Sequence, residues 1–256
     1  GSCPECETGN QQVCDHQTQP GFHNWGSFAQ YVAIDHAHVN LVALPDEMSF
    51  NTAASLGCRF ATSYRAVVAQ GRVAEGEWVA VHGCGGVGLS AIMIALAKGA
   101  RVVGIDVDER ALAFATNLGA EAIVQADETS KVASRIQEIT GRGAHLSIDA
   151  LGSAETAANS ILGLRKRGRH VQVGLLAGEH HRPALPMEHV IAKELELLGS
   201  HGMQAHRYGE MLDLIAAGKL EPQRLIGKTV PLEHAPAELE AMGSFTSVGI
   251  TVIERF

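Results

Sequence analysis

Three features of this 256-residue sequence combine residue types and spacings that can do chemistry. Cys3, Cys6 and Cys14 stand as Cys-x2-Cys-x7-Cys. Thiolates this close can hold zinc, and a closed tetrahedral site needs a fourth ligand, for which Asp15 and His16 are candidates. The alternative is free thiols in a loose terminus. Gly83-Cys84-Gly85-Gly86-Val87-Gly88 has the form G-x-G-x-x-G. Such a string arises by chance in a chain with 28 glycines, so its value depends on its neighbours. Here an apolar run, 78–82, leads in and a helical pattern follows at once. Gly83 then makes a tight turn, Gly85 lets a pyrophosphate approach the backbone, and Gly88 packs the helix on the strand. Helix-start N–H groups would hold the phosphates. Asp106, eighteen residues after Gly88, can accept hydrogen bonds from both hydroxyls of an adenosine ribose and would repel a 2′-phosphate. With Asp108 adding to that bias, the expected cofactor is NAD rather than NADP. The bland alternative for Asp106 is a surface cap of the next helix. Cys84 reads as a small residue tolerated in the turn.

Elements must hold these groups in place. Short Val/Ile-rich runs at 78–82, 101–106, 121–124, 145–150, 169–176 and 195–200 read as strands. Helical patterns at 87–98, 109–118, 129–140, 154–165 and 187–193 lie between them. Strands apolar along most of their length are covered on both faces. The expected fold class is therefore α/β, a doubly wound parallel sheet. Residues 1–26 read as loop, 27–33 and 38–44 as strands, and Ser49 as the N-cap of a helix through Ala54. After Gly202 the rhythm breaks into a helix at 208–217, a strand at 229–232, a helix at 235–242 and a strand at 250–254. The expected boundaries are 1–60, 61–201 and 202–256, with both ends forming a second domain.

Composition sets outer limits. Apolar residues make up 46% of the chain, enough for a sizeable core, which rules out a mainly disordered protein. A formal charge of −8 without a basic stripe argues against nucleic-acid binding. The longest apolar run, Val87 to Ala97, is too short to span a membrane. No signal peptide is visible, and clustered Cys in an acidic chain points to a cytoplasmic metal site before a disulfide.

Taken together, these motifs resemble those of zinc-containing medium-chain alcohol dehydrogenases, over essentially the whole chain. The family's structural zinc loop reads C-x2-C-x2-C-x7-C, and Cys3, Cys6 and Cys14 match its last three cysteines. Its first would lie immediately before Gly1, so the resemblance implies a chain that begins inside a longer protein. The segment 22–31 (FHNWGSFAQY) is similar to the lead into the family's G-x-F/A-E-Y strand, and 53–66 (AASLGCRFATSYRA) resembles the segment bearing the third catalytic zinc ligand. The resemblance thus implies Cys58 as a zinc ligand and Thr62 as a contact to the nicotinamide. It also implies Val173, Gly174 and Leu175 against nicotinamide and substrate, and Ala150 and Leu151 near the cofactor ribose. Gly83, Gly85, Gly86, Val87, Gly88 and Asp106 take the roles derived above. The implied fold is a Rossmann domain with remnants of a β-rich, GroES-like catalytic domain. The implied reaction passes hydride between an alcohol or aldehyde and NAD(H), with Zn2+, in a homodimer or homotetramer.

Departures from the family pattern accompany the matches. The segment carrying the first catalytic Cys, the proton-relay hydroxyl and the Gly-His-Glu is not in this sequence. One thiolate, Cys58, does not make a catalytic zinc site, and the thirteen histidines offer no obvious replacement. Read alone, Cys58 is a small buried residue. A Gly-Arg pair common in the family is here Gly249-Ile250. Three alternatives follow: an NAD(H)-binding protein without catalysis, a zinc-independent reductase of quinones or enones, and a zinc-finger nucleic-acid binder. The cysteine loop argues against the second and the charge against the third. The 195–200 run is the expected sheet edge, where pairing with a second copy would build a dimer.

Overall fold

The computed structural model describes residues 1–242 and 248–256. The chain divides into two compact units, residues 1–61 with 201–256 and residues 62–200. The first unit starts with the short helices α1 (Pro4–Glu7), α2 (Ala37–Asn40) and α3 (Phe50–Ser55). Ser49 caps α3, its hydroxyl accepting from the Thr52 N–H at 3.1 Å. A π-helical turn, Leu56–Phe60, follows, and Gly57 breaks its helical backbone with ψ −158°.

The strands expected at 27–33 and 38–44 do not form. Residues 27–33 are irregular, and α2 occupies the start of the second segment. A strand satisfies its backbone only against a partner, and neither segment pairs with one among the described residues. Their alternating apolar side chains consequently face water, with Tyr31 90% exposed.

The chain passes through α4 (Ala61–Tyr64) into the second unit. There β1 (Trp78–His82), β2 (Arg101–Asp106), β3 (Ala122–Gln125), β4 (Ala144–Asp149), β5 (Leu164–Gln172) and β6 (Glu196–Gly199) form one sheet in the order β3-β2-β1-β4-β5-β6, every pair parallel. This is the order of a Rossmann fold, reversing between β1 and β4. The helices between strands are α5 (Gly86–Ala97), α6 (Glu109–Leu118), α7 (Val132–Thr140), α8 (Ala154–Leu162) and α9 (Met187–Lys193). Asp108 caps α6 by accepting from the Arg110 N–H at 2.8 Å, and Ser153 with Thr156 forms a capping box on α8.

β1 is buried at every residue, as its unbroken apolar run requires. On one face Trp78, Ala80, Val103, Ile105, Ile136, Ile161 and Leu164 form a single cluster. Each fully buried Leu or Ile there contributes about 1.5–3 kcal/mol. β5 starts earlier than expected, pairing Ala144 with Leu164 and then, after a bulge, Leu146 with Arg169. Arg167 takes a left-handed conformation in that bulge, at φ 59°. β6 lies at the sheet edge, as expected.

The first unit resumes with α10 (Tyr208–Ala216), β7 (Ile226–Pro231), α11 (Ala235–Ala241) and β8 (Ile250–Arg255). β7 and β8 form a parallel pair, with Ile250 buried opposite Ile226. Among the described residues no helix is long and apolar enough to cross a membrane.

Candidate functional site

The glycine turn joins β1 to α5. Gly83 has φ 89°, open to glycine at little cost, and its N–H donates to the Ile105 carbonyl at 2.8 Å. A Cβ on Gly88 would lie 1.7 Å from the Gly83 carbonyl oxygen, so only glycine lets α5 start this close to β1. A Cβ on Gly85, the N-cap of α5, would meet nothing within 4 Å. Gly86, Val87 and Gly88 form the first turn of α5, whose amides have no carbonyl within the helix to serve. The Ser63 hydroxyl donates to the Val87 carbonyl at 2.8 Å and ties α4 to that first turn.

Asp106 ends β2 beside this turn. Its Oδ2 accepts from the Cys84 N–H at 2.6 Å, and its Oδ1 from the Asp108 N–H at 2.9 Å. The helix cap is thus Asp108, not Asp106, and Asp108 also pairs with Arg110 at 2.6 Å. Cys84 is buried against the Ile105 carbonyl, and burial pushes its thiol well up, so it is inert packing.

The turns after β4 and β5 open on the same edge of the sheet. Leu151 sits beside the glycine turn, since a Cβ on Gly83 would lie 3.3 Å from the Leu151 Cβ. The Val173 and Gly174 N–H groups donate to the Asp149 carbonyl at 3.0 and 2.8 Å. The structure therefore brings Gly83–Gly88, Asp106, Ala150, Leu151 and Val173–Leu175 to the C-terminal edge of one sheet, around the point where strand order reverses. Open α/β sheets bind ligands at this place. Helix-start amides with no acceptor inside the helix, open space at Gly85 and an acceptor at Asp106 fit a dinucleotide.

Cys3, Cys6 and Cys14 come together in the first unit, with Cys3 Sγ 3.4 Å from Cys6 Sγ and 3.8 Å from Cys14 Sγ. A tetrahedral zinc with Zn–S of about 2.3 Å sets its sulfurs about 3.8 Å apart, so three thiolates fit. Backbone N–H donation, first from Asp15 and then from Cys6, lowers the Cys3 thiol to about 7. Neither Asp15 nor His16 joins the group, and the His16 backbone N–H instead donates to Cys14 Sγ at 3.3 Å. Among the described residues this is the one group of three or more such ligands within 4.8 Å of one another.

Cys58 is exposed on the π-helical turn of the first unit, and Thr62 is buried on α4 in the second. Gly57 and Tyr208 help line a first-unit cavity of about 280 Å³ whose other walls include Leu41, Leu44, Leu56 and Leu212. Burial, and then the nearby Cys58, pushes the Tyr208 hydroxyl up.

Sequence reasoning missed three residues here. Tyr208 lies far from Cys58 in the chain and carries no motif. Ser63 sits in an apolar helical stretch. Asp149 had a readable signal, since it is a lone carboxylate ending an apolar strand just before Ala150-Leu151.

A family description, zinc-binding dehydrogenase, matches residues 86–217. An NAD-dependent alcohol dehydrogenase of Sulfurisphaera tokodaii is 33% identical over 258 residues, spanning 99% of this chain and 71% of that protein. A crystal structure of an NAD-dependent alcohol dehydrogenase superposes with a TM-score of 0.88 at 29% identity, covering 100% of this chain and 73% of the other. An alcohol dehydrogenase of Aeropyrum pernix gives 0.86 at 28% identity, over 99% and 73%. With the fold and the matched stretch in agreement, this chain belongs to the zinc-binding, medium-chain alcohol dehydrogenase family of oxidoreductases.

Proposed function

We propose that this chain binds NAD(H) on its second unit and serves a zinc-dependent oxidoreductase that passes hydride between an alcohol or aldehyde and the nicotinamide. The observation that carries this reading is the G-x-G-x-x-G turn with Asp106 hydrogen-bonded to it, at the reversal of a 3-2-1-4-5-6 sheet. The α5 amides bind the pyrophosphate, and Asp106 accepts from the adenosine ribose. Leu151 and Val173–Leu175 line the other half of the crevice, and Thr62 orients the nicotinamide ring. Bound NAD+ supplies the hydride acceptor. The first unit, with its cysteine loop, is the catalytic portion, and the loop stiffens it around a structural zinc.

Cys58 is proposed as a thiolate ligand of a catalytic zinc. Such a site takes three protein ligands, and among the described residues Cys58 belongs to no group of three. No chemical step is therefore assigned to a metal there. The same observation favours a second reading, NAD(H) binding without turnover.

Titration of the chain with NADH, followed by an assay across short alcohols and aldehydes, separates these readings. Tight NADH binding with turnover lost in Cys58→Ala supports the first reading, and turnover retained in Cys58→Ala removes Cys58 from the chemistry. NADH binding without turnover supports the second. No NADH binding overturns both. A dimer through paired β6 strands is also proposed, and light scattering that gives a monomer mass overturns it.

A further inference from the structure

Asp149 holds two turns at once. It is fully buried at the end of β4, and its side chain accepts four hydrogen bonds. Oδ1 takes the Leu151 and Gly152 N–H groups, each at 2.9 Å. Oδ2 takes Gln172 Nε2 at 2.9 Å and Thr156 Oγ1 at 3.1 Å. Gln172 Nε2 also donates to the Gly174 carbonyl at 2.9 Å. The Asp149 backbone carbonyl meanwhile receives the Val173 and Gly174 N–H groups. One residue thus fixes the turn after β4 by its side chain and the turn after β5 by its main chain, with Gln172 bridging the two.

The spacing it enforces is tight. A Cβ on Gly174 would lie 2.3 Å from Gly152 N, so the two backbones touch with no side chain between them. The clamp is itself oriented from below. Ser147 Oγ and Ser160 Oγ are 2.6 Å apart, Ser160 Oγ and His170 Nδ1 2.8 Å, and His170 Nε2 and Gln172 Oε1 3.2 Å. The roles close in one direction: Ser147 donates to Ser160, Ser160 to His170, and the His170 Nε2–H to Gln172 Oε1. That leaves the Gln172 amino group facing Asp149. Donors converging from both sides require an acceptor on each Asp149 oxygen.

We infer that Asp149 is a positioning residue for the half of the cofactor that lies beyond the pyrophosphate. This rests on the dinucleotide reading of the crevice. The glycine turn and Asp106 hold phosphate and adenosine on the β1–β2 side. A dinucleotide spanning the reversal point must therefore lay its second nucleotide against the turns after β4 and β5. Asparagine at 149 turns an amino group either at the Leu151 and Gly152 N–H groups or at Gln172 Nε2. One turn loses its anchor, and the wall for the second nucleotide shifts.

Two probes separate this role from a general loss of structure. ADP occupies the β1–β2 side alone, whereas NADH spans the crevice. The expected result for Asp149→Asn, by calorimetric titration of the full chain, is a Kd for NADH at least tenfold higher with the Kd for ADP within twofold of the unaltered protein. Gln172→Met, which removes the bridge and keeps the volume, should weaken NADH about threefold and leave ADP alone. It carries the test if Asp149→Asn does not fold. Unchanged NADH affinity in the variants overturns the inference, as does an equal loss for NADH and ADP. Equal affinity of the unaltered chain for ADP and NADH overturns it too, since the β4–β5 side then contributes nothing. An unaltered chain that binds neither probe overturns the dinucleotide reading itself, and the inference with it.

Discussion

The backbone N–H of Cys84 donates to Oδ2 of Asp106 at 2.6 Å, which ties the acid ending β2 to the glycine turn after β1. The Asp108 N–H occupies Oδ1. Each carboxylate oxygen keeps a further lone pair, enough for two ribose hydroxyls. A 2′-phosphate there would meet a negative charge at hydrogen-bond distance. Asp106→Ser is therefore expected to raise the Kd for NADH tenfold or more and to narrow the gap to NADPH. Fluorescence titration with both cofactors checks this, and an unchanged NADH-to-NADPH ratio removes Asp106 from the ribose site.

The three-thiolate loop makes a separate, metal-based prediction. Protein prepared with zinc present should carry about one zinc per chain, and Cys14→Ser should lose it. Chelation should lower Tm by several degrees, because metal bound only to the folded state stabilises it. Elemental analysis beside a thermal melt reads both. Folded protein that holds no zinc and melts at the same temperature with chelator overturns the loop's role.

How much of this was legible in the sequence differs between the two units for a physical reason. In the second unit the central strands β1 and β4 are buried along most of their length, and α6 and α8 are closed by the local caps Asp108 and Ser153. Local pattern and final structure therefore agree in element type and order from Trp78 to Gly199, with β5 shifted toward its N-terminus as the main difference in bounds. In residues 27–44 the runs 27–33 and 38–44, with Phe28, Tyr31 and Leu41 among their apolar side chains, promised strands, but such a pattern does not supply a pairing partner. No strand pairs with these segments among the described residues, and all three side chains are exposed. At the site, glycine spacing and the acid after β2 are local and readable. The Asp149–Gln172 contact is not, because it joins residues 23 apart on neighbouring strands.

Acid should weaken this fold through His82. Its ring is buried on β1, and its Nε2 has no hydrogen-bond partner. Burial pushes it down to about 4 from 6.5, with Asp149 opposing and His170 adding to the effect. The unfolded chain therefore takes up this proton first as pH falls. The contribution is complete above about pH 6.5. It declines by about 1.4 kcal/mol per pH unit and is lost, about 3 kcal/mol in all, near pH 4. His170 shifts the same way and adds to the slope. Urea unfolding at pH 7.5 and pH 4.5 measures this, and His82→Leu should flatten the dependence. An equal slope in that variant assigns the acid sensitivity elsewhere.

The opposite edge of the sheet offers a change that should alter stability and leave the cofactor alone. Glu77 precedes β1 and pairs with Arg169 of β5 at 2.5 Å, both side chains less than a fifth exposed. Glu77 also accepts from the Ala74 N–H at 3.0 Å, and Arg169 Nε is buried without a partner. Removing one member leaves the other charge poorly solvated, whereas removing both avoids that penalty. Glu77→Gln is expected to cost about 2–3 kcal/mol, somewhat below the range for fully buried pairs because water reaches part of this one. Glu77→Leu with Arg169→Met should recover most of the loss. A double-mutant cycle in urea reads the coupling, and NADH titration should give the parent Kd throughout, because Glu77 stands at the start of β1 and the glycine turn at its end. A single variant that weakens NADH as much as it weakens the fold would show that the two sheet edges are coupled.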